Sequence, residues 1–534
     1  MGLNTKYYIS IFTVVNVITI IFAIYTDHRW EDWYITFKAS KNLALGNGLV
    51  YHVGEHVHTF TSPIGTLVPA ALSFLGGGEG ADEFAIWGYR IICSIILSTT
   101  AMLIFRLFIH LGSDVYHAFW VVLLFAFNIL IVDFSINGME TAFMVLFLIL
   151  FISIVVISEQ KKTLKLALCV AALMYTRPDA VVYFGSLMIG FILFYPEVSN
   201  QLQSRKKSIL FFMKVGLLAF VFYLPWILIT YIYYGSPIPH TIVAKGLNMI
   251  YSVKSLAFRF VTMPYQLITY NCTPANTCLM PPYSNMGSWS ILPIIGWLSV
   301  LIGALYFLNF KGIKIIRAIS FSFYIGLFYL FAVNSAMPWY LPNITIVFIV
   351  CIGLVLQHHI KNRYAKRSIQ FGFLFYTLIV FLTGAKSMKT QQEVIEFGNR
   401  KVIGIWLKDN AKKGQSVFME CLGYIGYYSE LKTFDFPGMS SPEIVAARKK
   451  IPKSNKIKRK KDEYAYIIAD LRPDWLVLRP VETEIINGHN NRLLQNQYML
   501  VKEFNVASKI PSGILGENYL RFDQEFRVYK KVAL

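Results

Sequence analysis

Asp27-His28-Arg29-Trp30-Glu31-Asp32-Trp33-Tyr34-Ile35-Thr36-Phe37-Lys38 follows directly on an apolar run from Tyr7 to Thr26. Two adjacent carboxylates, Glu31 and Asp32, therefore stand where a membrane-spanning helix should emerge into water. Trp30, Trp33, Tyr34 and Phe37 recur at helical spacing, which predicts a short helix lying in the interface. An aromatic belt with a solvated acidic turn would share this pattern. The functional reading is acid chemistry at the membrane surface, beside anything dissolved in the lipid. No small-residue cleavage site follows the apolar run, so it reads as a retained span rather than a signal peptide.

Composition supports a polytopic membrane protein. Of 534 residues, 55% are hydrophobic and only 15% charged, against about 25% charged in soluble domains. The net charge of +20 is accounted for by Lys and Arg gathered in short cytoplasmic loops. No nucleic-acid motif accompanies it, so nucleic acid is not an expected partner. Cys93, Cys169 and Cys351 fall inside apolar runs and read as small core residues; Cys421 stands alone. Cys272 and Cys278 share a polar loop outside the cytoplasm, a compartment that permits a local disulfide. No Cys/His cluster of metal-ligand type is present.

Apolar stretches at 7–26, 86–109, 116–133, 139–158, 163–176, 180–195, 209–233, 290–309, 319–335, 340–358 and 368–385 predict about eleven spanning helices. Basic residues occupy every second connection, including Lys161-Lys162, Arg205-Lys206-Lys207 and Lys361 to Arg367. The positive-inside rule then puts the amino terminus in the cytoplasm, and an odd number of spans puts the carboxyl terminus outside. Residues 27–85 form a first outer loop. Within it, Ile64 to Leu75 is apolar but too short to span. Gly76-Gly77-Gly78-Glu79-Gly80 lacks the Lys and flanking elements of a phosphate loop.

Three further outer connections carry candidate chemistry. Asn137-Gly138-Met139-Glu140-Thr141 places an acid at a helix start, where the helix dipole alone would favour it. Thr176-Arg177-Pro178-Asp179 reads as a proline-initiated helix, which leaves Arg177 unexplained. Pro239-His240-Thr241-Ile242-Val243-Ala244-Lys245 adds a histidine and a lysine, the latter also readable as a snorkelling anchor. From about Lys386 onward charge returns. A helix over Gln391–Asn410 and short strands at Ser416–Met419, Trp475–Leu478 and Leu520–Val528 are predicted, enough for one soluble α/β domain. Arg448 to Lys461 is a dense basic run, read as a solvated loop or as a contact for anionic head groups or glycans.

Together these pieces resemble a branch of membrane glycosyltransferases of the GT-C fold that includes the mycobacterial terminal β-arabinofuranosyltransferases. Glu31-Asp32-Trp33-Tyr34-Ile35-Thr36-Phe37 with Asn42-Leu43 and Gly46-Asn47-Gly48-Leu49-Val50-Tyr51 is similar to that branch's opening motif. Thr61-Ser62-Pro63, Gly138-Met139-Glu140-Thr141-Ala142, Thr176-Arg177-Pro178-Asp179, Pro239-His240-Thr241 with Ala244-Lys245, and Gly423-Tyr424-Ile425-Gly426-Tyr427-Tyr428-Ser429 follow in the family's order. The chain departs at Glu31, where the family has Asp.

The resemblance implies a transmembrane GT-C catalytic domain over 1–385 and a soluble extracytoplasmic α/β domain over 386–534, in a bacterial plasma membrane. It implies an inverting enzyme that moves a sugar, arabinofuranose in the nearest likeness, from a polyprenyl-phosphate donor to a surface glycan or protein acceptor. Such transfer needs a base for the acceptor hydroxyl and positive charge at the departing phosphate. Asp32 or Glu31 would serve as the base, and Arg177, Lys245, His240 and Glu140 form the donor-binding set. The resemblance implies no definite cofactor; Arg, Lys or a divalent cation could share the phosphate charge. A transporter or flippase of saccharides is the competing class, but it calls for charged residues or broken helices near the midplane. A membrane-anchored sensor or adhesin would need fewer spans.

Overall fold

The computed structural model describes residues 5–157, 161–195, 204–246, 252–268, 292–333, 337–451, 463–489 and 491–532. The Cys272–Cys278 pair and most of the basic run after Ile451 lie outside the described residues. Helix α1 (Thr5–Thr26) is the first apolar run. Its Thr19 and Thr26 hydroxyls bond back to the carbonyls of Val15 and Phe22 at 2.8 Å, so neither presents an unpaired polar group to lipid.

Helices α2 (Glu31–Ala44), α3 (Pro63–Leu75) and α4 (Asp82–His110) follow. The expected straight span at 116–133 is a bent pair, α5 (Val115–Ala126) and α6 (Ile129–Ile136), which meet at 53°. Asn128 causes the break, because its side chain caps α6 by accepting the Ile131 N–H at 3.1 Å. Next come α7 (Thr141–Ile157), α8 (Lys162–Thr176), α9 (Ala180–Phe194), α10 (Arg205–Tyr234) and the short α11 (His240–Gly246). Then α12 (Val253–Ile268), α13 (Leu292–Leu305), α14 (Lys314–Phe328), α15 (Leu341–His359) and α16 (Arg363–Thr390) complete the apolar part. Among the described residues, each stretch read as a span is helical over most of its length. Among the described residues, six helices are long and apolar enough to cross a membrane, or seven with the bent pair.

Helix α16 does not stop where charge returns. It continues through a wider π-helical stretch, Gln391–Arg400, into α17 (Lys401–Asn410), so one rod of 48 residues joins the membrane part to the tail. The tail holds a five-stranded sheet of β1 (Ser416–Met419), β2 (Lys432–Asp435), β3 (Trp475–Leu478), β4 (Tyr498–Asn505) and β5 (Glu525–Lys531). The order is β2-β1-β3-β5-β4, parallel across β2, β1 and β3 and antiparallel at β5 and β4. Strand β3, buried at all four positions, was legible as an apolar run, whereas β2 (Lys432–Asp435) carries charge at both ends and β4 is mostly exposed, and neither was.

Helix α2 departs from an interfacial helix. Trp33, Tyr34 and Phe37 are almost fully buried; the tail helix α18 (Leu422–Ser429) packs on Tyr34 and Phe37, and Trp33 packs on Tyr89. Tyr34 packs against Tyr424, Tyr427 and Tyr428 with ring centroids 4.4–5.5 Å apart. The aromatic stripe is a seam between the segment that follows α1 and the tail.

Candidate active site

The turn that enters α2 is fixed from three sides. Arg90, buried on α4, donates to Asp27 at 2.7 Å, to the His28 carbonyl at 2.9 Å and to the Ile136 carbonyl at 3.1 Å. His28 Nδ1 pairs with Asp133 at 2.7 Å inside the core. The Trp30 N–H donates to the Asn137 carbonyl at 2.9 Å. Gly138, at φ +103°, lies flat against Trp33, and a Cβ there would come within 2.5 Å of the indole. Only glycine tolerates both the left-handed backbone and that approach. The packing of this turn on α2 carries Glu140 to the face of the helix that holds Asp32.

Asp32, Glu140, Arg177 and Lys245 line one cavity, with about 650 Å³ of atom-free space, together with Thr61, Ser62, Trp339 and Tyr340. Pro178 ends α8 one residue after Arg177, whose backbone turns extended. Its guanidinium is held by Asp179 at 2.8 Å and Glu140 at 2.7 Å and lies 4.5 Å from the Tyr340 ring. Lys245 reaches in from exposed α11 with its Nζ 6.0 Å from the Trp339 ring, and forms no salt bridge among the described residues. Burial raises the Asp32 carboxyl above its usual range, an effect the nearby Lys245, Arg177 and Arg400 charges oppose. A raised carboxylate beside uncommitted positive charge can accept a proton and tolerate an anion at once. Among the described residues no three His, Cys, Asp or Glu side chains gather as metal ligands. Of the cavity's two carboxylates, Glu140 is committed to Arg177 and Asp32 faces the open space.

Glu31 points elsewhere. It accepts the Gly423 N–H at 3.1 Å and lies 3.8 Å from Arg400. Burial pushes it up to about 8; Arg400 opposes the rise, and Glu396, Asp32 and Glu420 add to it. Arg400 also holds Glu396 at 2.8 Å and Asp523 at 2.5 Å, and Asp523 is shared with buried Arg479 at 2.5 Å. Glu31 thus belongs to the ionic joint between the loop and the tail. His240 also stands apart from the Asp32 cavity. It lines a second, neighbouring cavity with His56, His58 and Tyr234.

Tyr340 opens the predicted span at 340–358, and Trp339 stands just before it with no predicted role. The Pro338-Trp339-Tyr340 sequence at an outer helix end was their available signal. Arg448, read as part of a solvated run, is buried instead. It donates to Glu463 at 2.5 Å and to the Ala244 carbonyl at 2.9 Å, beside Lys245.

The same architecture recurs in solved structures. ArnT from Cupriavidus metallidurans in the apo state superposes with a TM-score of 0.55 at 10% identity, covering 99% of this chain and 98% of that one. The chain has the GT-C fold. ArnT bound to undecaprenyl phosphate gives a TM-score of 0.54 at 11% identity, with 99% of both chains covered. The Archaeoglobus fulgidus oligosaccharyltransferase gives 0.51 at 11% identity, over 93% of this GT-C chain and 73% of that one. A family model described as "Domain of unknown function (DUF8728)" matches residues 386–529, the part that carries the sheet. No curated protein matches the sequence.

Proposed function

We propose that this GT-C protein is an inverting glycosyltransferase that takes a sugar from a polyprenyl-phosphate donor at the outer membrane surface. The observation that carries the reading is the meeting of Asp32, Arg177, Lys245 and Glu140, from four separate stretches, around one cavity. The undecaprenyl phosphate of the ArnT complex is the lipid chemistry such a cavity would take. Asp32 removes the proton of an acceptor hydroxyl. That oxygen attacks the anomeric carbon from the face opposite the phosphate, and the carbon–oxygen bond to the phosphate breaks. Polyprenyl phosphate departs with its charge stabilised by Lys245 and by Arg177, which Glu140 and Asp179 hold in place. Arabinofuranose is the sugar proposed from the likeness of the opening motif. Residues 1–385 act as the catalytic domain and 386–534 as an extracytoplasmic domain, with the amino terminus in the cytoplasm.

A flippase would move the lipid-linked sugar without breaking its bond. The purified chain, given radiolabelled polyprenyl-phosphate sugars and an envelope extract as acceptor, is expected to transfer label to water-soluble or polymeric product. Label that stays wholly lipid-linked across a panel of pentose, aminopentose and hexose donors would overturn the enzyme reading.

A further inference from the structure

The small cavity beside the Asp32 site has its own chemistry. Its lining includes His56, His58, Tyr234, Ser236 and His240, and no Lys, Arg, Asp or Glu. It opens to solvent between His56 and Pro442 and is lined by neutral side chains throughout. Two elements divide it from the Asp32 cavity: the extended segment 56–62 and helix α11, clipped together by the His240 N–H donating to the His58 carbonyl at 2.8 Å.

These two elements carry four buried polar atoms without a close hydrogen-bond partner, His58 Nδ1, Thr59 Oγ1, His240 Nε2 and Thr241 Oγ1, although the His240 ring also faces the Gly438 backbone. They come as two consecutive pairs. His58 and His240 line the small cavity, whereas Thr59 and Thr241 line the Asp32 cavity on the other side of the same wall. Leaving a buried polar atom unpaired is costly, so native structures keep few of them. Four on one wall call for a ligand that supplies many hydroxyls to both sides. Burial holds the His58 ring down to about 4, so it is neutral at physiological pH and offers hydrogen bonds rather than charge. His58 lies stacked on Tyr234 at 4.6 Å with the rings 5° from parallel, so its orientation is set. Exposed His56 stands at the rim. His240 and Lys245 are five residues apart on α11, about 8 Å along the axis, so a short saccharide can reach from one cavity to the other.

We propose that the small cavity and the Thr59–Thr241 side of its wall bind an uncharged oligosaccharide, the acceptor chain, through its hydroxyls. The inner sugars sit at His58 and His240, and the terminal hydroxyl is presented to Asp32. The role as acceptor rests on the glycosyltransferase reading, whereas the binding of a neutral saccharide does not. This gives His240 a task distinct from donor phosphate binding.

The test is saturation-transfer NMR on the full chain in detergent, with the methyl glycosides of arabinofuranose and mannose trisaccharides as probes. Binding of undecaprenyl phosphate by the wild type is measured in the same preparation. The wild type is expected to bind at least one trisaccharide. His58→Phe, His240→Leu, Thr59→Val and Thr241→Val should each weaken it about three- to tenfold. The valine variants preserve shape and carry the test alone if the histidine variants do not fold. Wild-type affinity in the valine variants, or no trisaccharide binding while undecaprenyl phosphate binds, overturns the subsite and leaves the donor reading standing. Trisaccharide binding that weakens in the variants, with no undecaprenyl phosphate binding, supports the subsite and overturns the donor reading.

Discussion

Asp32 and Glu31 are neighbours in sequence with different surroundings, and this separates their expected roles. Asp32 faces the cavity with Lys245 and Arg177 near it. Glu31, pushed up to about 8 from an ordinary 4.5, faces the tail. The folded chain therefore binds more protons at Glu31 than the unfolded chain between those two values, so this group costs stability as pH rises through that window. Glu31→Gln keeps an acceptor for the Gly423 N–H and removes the charge. Its midpoint of denaturation should match the wild type near pH 4 and exceed it increasingly toward pH 9. A constant difference across that range would contradict the assignment. Lys245 and Arg177 should also differ. Lys245→Ala removes a charge-assisted contact worth about 1.5–3 kcal/mol, so donor binding weakens about ten- to a hundredfold in a folded protein. Arg177→Ala leaves Glu140 and Asp179 unpaired and nearly buried, which costs about 3–5 kcal/mol of stability. Thermal denaturation alongside donor titration separates the two effects.

At the scale of elements, the site depends on segments far apart in the chain. Gly423 is the closest approach of the tail to α2, and a Cβ there would strike the Glu31 carbonyl. Arg448 caps the carbonyl of Ala244 on α11 and so positions Lys245. Arg448→Ala should raise the donor KM about three- to tenfold with little change in kcat, and leave the pH dependence of turnover in place. Equal loss in kcat and kcat/KM would argue against a positioning role. The same elements show what the sequence could convey. Period and length located the helices, because lipid demands apolar residues in turn-bonded backbone. The bend at Asn128 was hidden, since one capping asparagine looks like any polar residue in a span. The burial of α2 was hidden as well, because an aromatic stripe reads alike whether lipid or α18 covers it. Asp32, Glu140, Arg177 and Lys245 were legible as charges near predicted helix ends on one face, with Arg177 alone lacking a local explanation. Their convergence required the packing of Gly138 on Trp33, which no local pattern encodes.

At the scale of the molecule, the rod from α16 into α17 fixes how the tail sits over the first outer loop. The alternation of basic connections predicts that a phosphatase reporter fused after Gly414 is active and one fused after Lys207 is inactive; the reverse would put Asp32 in the cytoplasm. The central claim is that the Asp32 cavity performs base-assisted transfer. Its most direct test is turnover of labelled polyprenyl-phosphate sugar by the wild type and by Asp32→Asn across pH. The wild-type rate should rise with pH and level off once Asp32 has lost its proton, above the ordinary carboxylate range because burial raises it. Asp32→Asn should lose at least about a hundredfold in turnover while still binding donor. Normal turnover by Asp32→Asn, with Glu31→Gln inactive, would assign the base to the other carboxylate and contradict the account.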